Sequence, residues 1–247
     1  MARAASRGLA TSGGDALEET VPNWRRATIL LAVAVAALAA VLLVTVTTHD
    51  PDEADSAFPV EGSADAGFAR DMQVHHAQAV EMALLVRDRT TDPIIRAIAY
   101  DIATAQQQQI GQMFAWLELW GLPQTSTDEP MAWMEPSMEA MEQSDGEHSA
   151  TLNDMTLAPD GRMPGMASAE DLARLSDLEG VSAEELFLAL MIRHHEAGVV
   201  MAEAAATLTT QAPVRKFALT VAAAQRAEIK QMLALQQDRT SSTQSNG

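Results

Sequence analysis

Apolar and polar positions alternate with helical spacing through two long segments of the chain, and the second segment repeats the first. Residues 68–113 align with residues 187–232 at an offset of 119 without a gap, and 17 of the 46 positions are identical. In each copy the apolar residues recur every three or four positions, as on the buried face of a helix. Neither copy could bury that face alone, so the duplication predicts two helical hairpins stacked on each other.

Capping residues and prolines place the helix ends of the first copy. We expect its first helix to run from about Gly67 to Arg89. Asp92 followed by Pro93 is typical of a helix start. Gly121, which lacks a Cβ atom, suits the end of that second helix.

The second copy has comparable signals. A short helix is expected to begin at Ser168, with Asp171 as its reciprocal capping acid, and to end at Gly180. Ser182 and Glu185 have the spacing of a capping box at the start of the next long helix.

Pro213 indicates where the last helix begins, and we expect that helix to end near Gln237. The pattern therefore predicts an all-α protein, with a four-helix bundle over residues 67–237. A long methionine-rich crossover at 122–167 joins the two hairpins.

A different kind of segment precedes the bundle. Residues 27–46 form an uncharged apolar run of 20 residues, with arginines before it and acidic residues after it. This pattern predicts a transmembrane anchor over about 24–48, with a disordered cytoplasmic tail at 1–23 and the bundle outside the cytoplasmic membrane. A cleaved signal peptide is the alternative. The segments 49–66 and 238–247 are predicted to be a linker and a disordered tail.

The amino-acid composition excludes several classes of function and of metal site. The formal net charge of −18 argues against nucleic-acid binding, which needs basic residues to displace counterions. Cysteine is absent, so thiolate metal sites, disulfides and a cysteine nucleophile are excluded. The 14 methionines are many beside five phenylalanines and one tyrosine.

Each copy places a His-His pair among methionines on the predicted inner face. Imidazole and thioether groups together suit copper, particularly Cu(I). Methionine alone is more often a gap-filling core residue, so the paired histidines are the more informative signal. The candidate metal ligands are Met72, His75, His76, Met82, Met191, His194, His195 and Met201.

Polar residues on the second helix of each hairpin could support these ligands. Gln106 and Gln225 lie at the centre of a predicted buried stripe, where each must find a hydrogen-bond partner. They could orient an imidazole, or bond to a backbone carbonyl or a water molecule. Gln109 of the first copy is replaced by Glu228 in the second, and if the acid assists a ligand, the first hairpin is the weaker half.

The crossover has a second group of candidate ligands, and two interpretations of it stay open. The methionine spacing is typical of an amphipathic helix lying on the bundle, and equally of a solvent-facing arm that captures soft metal. These auxiliary candidates are Met131, Met134, Met138, Met141 and His148.

The chain resembles the family known as domain of unknown function 305 at these same residues. The shared motifs are F-x3-M-x2-H-H-x5-M-A at the start of each hairpin and Q-x2-[EQ]-I-x2-M in its second helix. The resemblance implies a ferritin-like four-helix bundle that is secreted or membrane-anchored, and a periplasmic copper-binding role for the histidines and methionines named above.

We therefore expect a non-enzymatic, extracytoplasmic copper-binding protein, with the membrane, the metal ion and a copper-handling protein as its partners. One alternative is a metal-free interaction module whose histidines sense pH. A ferritin-like di-metal oxidase is the other alternative, but the inward Glu-x-x-His pairs that it needs are absent from the repeat.

A polypeptide of residues 50–247 tests the anchor assignment. We expect it to be soluble and helical without detergent, because the apolar run has been removed. Extraction and circular dichroism would measure this, and a requirement for detergent would contradict the assignment.

Overall fold

The protein is described by a computed structural model over residues 58–135 and 156–245, and within these ranges all regular structure is helical. The all-α prediction is confirmed for them. The helices are α1 (Ala64–Arg89), α2 (Pro93–Trp120), a 3₁₀ turn (Ala132–Met134), α3 (Ala169–Asp177), α4 (Gly180–Leu208) and α5 (Ala212–Ser245).

None of these described helices is both long enough and apolar enough to cross a bilayer. The predicted anchor at 24–48 lies outside the described residues, as do the tail at 1–23 and residues 49–57 of the predicted linker.

Helices α1 and α2 form one hairpin, α4 and α5 form the other, and α1 packs antiparallel against α4. Buried carboxylates join the two hairpins at both ends. Asp65 accepts hydrogen bonds from the backbone N–H groups of Thr210 and Gln211, each at 3.0 Å. At the opposite end Glu184, the duplicate of Asp65, accepts a hydrogen bond from the Thr90 hydroxyl. Each copy therefore caps the turn of the other.

The ends of α2 are as predicted. The Asp92 carboxylate accepts hydrogen bonds from the N–H groups of Ile94 and Ile95, and Gly121 closes the helix with φ 67°. Helix α1 begins at Ala64, three residues before the predicted start at Gly67. The sequence signal was Ser63, whose hydroxyl accepts from the Ala66 N–H at 3.3 Å.

The second half confirms one predicted cap and contradicts another. Ser168 and Asp171 form the expected reciprocal box at the start of α3, which ends at Asp177 rather than at Gly180. The predicted box of Ser182 and Glu185 is wrong, because α4 already begins at Gly180 and has no side-chain cap.

Helix α5 begins beside Pro213 as predicted but continues to Ser245, past the expected end at Gln237. The helix therefore extends into the segment predicted as a disordered tail at 238–247. Within it, Arg239 donates to the Asp92 carboxylate at 2.7 Å and to Glu184. These ion pairs hold α5 at Arg239 against the bundle.

The start of the crossover packs on the bundle instead of extending into solvent. Met131 and Met134 are buried in the same apolar cluster as Phe68 and Trp133. The solvent-facing arm is therefore wrong for these two methionines, whose burial fits the interpretation of a segment lying on the bundle. The other auxiliary candidates, Met138, Met141 and His148, lie outside the described residues.

Gly67 provides a test of this packing. A Cβ atom at residue 67 would lie 2.4 Å from Cδ1 of Trp133, whereas one at Gly111 would meet nothing within 4 Å. We expect Gly67→Ala to destabilise the protein by about 1–3 kcal/mol through overpacking. Gly111→Ala, the control, should stabilise it by about 0.5–1 kcal/mol. Urea unfolding measures both, and equal stability of the two variants would contradict the packing.

Candidate metal centre

The two His-His pairs meet in one layer at the middle of the bundle, where α1 crosses α4. All four imidazoles are fully buried. The rings of His75 and His194 stack with centroids 3.7 Å apart and planes inclined by 32°. The ring of His195 lies 6.2 Å from that of His194. We call His75, His76, His194 and His195 the histidine layer.

The histidine layer lies between two separate apolar clusters, each of which takes methionines from both copies. Met72 and Met201 belong to one cluster, and Met82 and Met191 belong to the other. All four are fully buried, so the eight predicted ligands lie together in the interior. The methionines flank the layer on both sides. Their part in metal binding remains a prediction.

Hydrogen bonds fix the tautomers of three imidazoles. Nε2 of His76 bonds to Oε1 of Gln109 at 2.7 Å, and Nε2 of His195 bonds to Oε2 of Glu228 at 2.6 Å. Nε2 of His194 bonds to the backbone carbonyl of His75 at 3.0 Å. All three partners are oxygen acceptors, so in each case the ring must donate from Nε2. In the neutral ring Nδ1 then holds the lone pair.

These Nδ1 atoms have no hydrogen-bond partner. The same holds for both ring nitrogens of His75, and for the amide nitrogen and oxygen of Gln106 and of Gln225. An unpaired buried polar group costs about 1–3 kcal/mol, so natural cores rarely contain several. The unpaired Nδ1 atoms among these groups are electron-pair donors, and such atoms suit a cation that accepts electron pairs.

Two of the four predicted supporting residues bond to an imidazole. Gln109 and Glu228 make these bonds. Gln106 and Gln225, almost one turn earlier on α2 and α5, make none. The Gln225 amide fills the space beside Gly198. Its Oε1 lies 2.4 Å from where a Cβ would stand.

Burial keeps three of the four imidazoles uncharged. Desolvation, with smaller contributions from neighbouring histidines, lowers the pKa of His75 to about 3. A weak contact with the Pro164 carbonyl, which does not reach hydrogen-bond geometry, offsets part of this. The pKa of His76 is also lowered to about 3, mainly by desolvation and despite the Gln109 hydrogen bond. The pKa of His194 lies well below 6.5 for the same main reason. These three rings are neutral and able to donate a lone pair at ordinary pH.

The end of the crossover covers the layer, a feature that sequence reasoning missed. Gly165 has φ 73°, and a Cβ there would lie 2.6 Å from both the Arg193 carbonyl oxygen and the Ala197 Cβ. The Gln78 amide donates to the Ala167 carbonyl at 2.9 Å and accepts from the Ala167 N–H at 2.7 Å. The sequence signals that could have predicted this cover are Pro164 and Gly165 on the crossover and Gln78 near the buried stripe of α1.

Within the two described ranges, no group of three or more histidine, aspartate or glutamate side chains is already arranged to hold a metal ion. The residues nevertheless fit a soft metal by the chemistry of their donors, since unpaired imidazole nitrogens are buried between two clusters that contain methionines. The imidazole nitrogens and the flanking methionines are the groups that would hold it. The bonds from Nε2 to oxygen resemble the outer contacts that orient histidine ligands in metalloproteins.

Fold and site define an all-α protein with duplicated histidine–methionine helices. The family model named Domain of unknown function (DUF305) matches residues 65–236, and the chain belongs to this family. Among curated proteins, none matches the sequence.

Solved structures share the fold. A DUF305 protein from Streptomyces coelicolor is 40% identical, with a TM-score of 0.62 over 73% of this chain and 96% of that one. A DUF305 fragment from Deinococcus radiodurans is 30% identical, with a TM-score of 0.52 over 70% of this chain and 94% of that one. CopM in its Cu(I)-bound form is 22% identical, with a TM-score of 0.50 over 70% of this chain and 96% of that one.

The buried neutral histidines predict a pH dependence of stability. His75 and His76 titrate near 3 when folded and near 6.5 when unfolded, so between these values only the unfolded chain binds the protons. Above pH 6.5 both rings are neutral in the folded and the unfolded chain, so they do not reduce the free energy of unfolding. Below pH 6.5 the free energy of unfolding falls with the pH. We expect the free energy of unfolding to drop by about 1.4 kcal/mol per pH unit for each such histidine.

Urea unfolding between pH 6.5 and 5, above the titration of most carboxylates, measures this slope. The variant His75→Leu should reduce it. An identical slope in both proteins would contradict the neutral state of that ring.

Proposed function

We propose that this protein is a non-enzymatic, extracytoplasmic copper-binding protein that holds Cu(I) in the histidine layer and buffers or transfers it. The observation that carries the proposal is the set of buried imidazole nitrogens without hydrogen-bond partners at the centre of the bundle. Three of these imidazoles have Nε2 engaged by an oxygen. In His76 and His194, whose lowered pKa keeps them neutral, this leaves Nδ1 as the electron-pair donor.

The donor chemistry favours a soft cation. Neutral imidazole and thioether ligands suit Cu(I), whereas carboxylate and carbonyl oxygens suit Mg²⁺ or Ca²⁺. Methionines from both copies flank the layer, and no thiolate is available in a chain without cysteine. A thioether does not form disulfides, so this ligand set works in an oxidising compartment.

The comparisons support the proposal at the level of fold and family. The Cu(I)-bound form of CopM has the same fold, and the Streptomyces coelicolor relative is described as a secreted protein. An extracytoplasmic bundle held by the anchor predicted at 24–48 agrees with that description. A copper-handling protein that delivers or removes the ion is the partner this role requires.

The alternatives have less support. A pH sensor that works near neutrality needs imidazoles that titrate there, and burial lowers the pKa of His75 and His76 to about 3. For a di-metal oxidase, carboxylates would have to project into the layer. Glu228 is a carboxylate at the layer, but it bonds to Nε2 of His195, and its counterpart in the first copy is the amide Gln109. The buried carboxylates Asp65 and Glu184 join the hairpins at opposite ends of the bundle.

Cu(I) titration under anaerobic conditions, in competition with a chromogenic chelator, tests the proposal on two matched quadruple variants. The first changes His75, His76, His194 and His195 to Leu, and the second changes Met72, Met82, Met191 and Met201 to Leu. Leucine is close to methionine in volume, so the second variant should fold with little loss of stability.

We expect the histidine variant to lose tight Cu(I) binding and the methionine variant to keep a weakened site. Circular dichroism and urea unfolding show whether each variant is folded before its Cu(I) affinity is compared. Unchanged Cu(I) affinity in a folded histidine variant would contradict the proposal.

A further inference from the structure

The residue that bonds to the outer histidine of each pair differs between the two halves of the polar layer. The duplication pairs His75 with His194, His76 with His195, and Gln106 with Gln225, and all three pairs are identical. The residue that receives the outer imidazole hydrogen bond differs, because Gln109 of the first copy becomes Glu228 in the second.

The two hydrogen bonds otherwise match closely. Each joins Nε2 of the second histidine of a pair to an oxygen 33 positions along the chain, at 2.7 Å to Gln109 and at 2.6 Å to Glu228. Both imidazoles are fully buried, and both have an Nδ1 without a partner. The chain thus presents an amide and a carboxylate in the same role, within one protein.

We infer that the two halves of the histidine layer are unequal metal donors, and that Glu228 makes His194 and His195 the half that binds Cu(I) first and more tightly. The inference rests on the proposed function. A carboxylate that accepts from Nε2–H increases the basicity of the ring as a ligand, more than a neutral amide does.

Glu228 also brings a negative charge within reach of a cation bound at His195. The Glu228 side chain is 25% exposed, so solvent screens part of this attraction. Gln109 offers the first half no such charge. Glu228 is accordingly a positioning residue that acts through His195, and it sets the order in which the two halves are filled.

The test is Cu(I) titration of the full chain labelled with ¹⁵N-histidine, in which NMR follows the ring nitrogens of each half. In the natural protein, less than one equivalent of Cu(I) should shift His194 and His195 before His75 and His76. Glu228→Gln should abolish this preference and lower the affinity of the second half by about 10–100-fold.

The double variant Gln109→Glu with Glu228→Gln exchanges the two residues and keeps the net charge. We expect it to fill His75 and His76 first. A role of Glu228 in stability alone could not move the preference to the other half, and thermal unfolding of each variant without metal measures any such role separately.

The inference is wrong if both halves shift in parallel in the natural protein, or if the preference for His194 and His195 survives the exchange. Either result would leave the proposed function standing. The absence of any shift in all four imidazoles on addition of Cu(I) would overturn the proposed function and the inference with it.

Discussion

Burying four imidazoles at the centre of a bundle constrains everything around them. A charged histidine could not remain there without a buried counter-charge, and burial accordingly lowers the pKa of His75, His76 and His194 far enough that these rings are neutral. A neutral ring still has one N–H and one lone pair to satisfy. The bundle supplies acceptors for three of the N–H groups and leaves the lone pairs facing the interior. These imidazole nitrogens without a hydrogen-bond partner are the physical basis of the proposed metal site.

The duplication explains how a bundle can maintain such a layer. Two hairpins pack antiparallel, so equivalent residues face each other at the crossing of α1 and α4, where the His75 and His194 rings stack. Apolar clusters on both sides supply the hydrophobic burial that offsets the cost of the polar centre. At the bundle ends, Asp65 and Glu184 each bind the turn of the opposite copy, which fixes the register of the crossing.

The sequence contained enough to predict the helices, their duplication and the inward direction of the His-His pairs, because these depend on local spacing. The Asp92 and Gly121 caps were predictable for the same reason. Contacts between segments that are far apart in the sequence could not be predicted in this way. The residues around Arg239 do not reveal that it bonds to Asp92. The residues around Trp133 do not reveal that it packs on Gly67, or that Met131 is buried in the same cluster.

In the candidate site, too, the features set by local spacing could be predicted and the contacts between distant segments could not. Helical spacing placed each His-His pair on the inner face of its helix. It could not decide that Gln109, rather than Gln106, receives the hydrogen bond, since that depends on the axial offset between α1 and α2. The cover formed by Gly165 and Ala167 over the layer likewise depends on the path of the crossover, which has no periodicity to read.

The central claim is that buried imidazole nitrogens bind a soft metal ion. Copper K-edge X-ray absorption of the protein with one equivalent of Cu(I) tests it most directly, because the outer scattering of an imidazole ring differs from that of a thioether or an oxygen ligand. The account predicts nitrogen ligands with imidazole scattering, together with sulfur from the flanking methionines. A spectrum with oxygen ligands alone, or with no imidazole scattering, would contradict it.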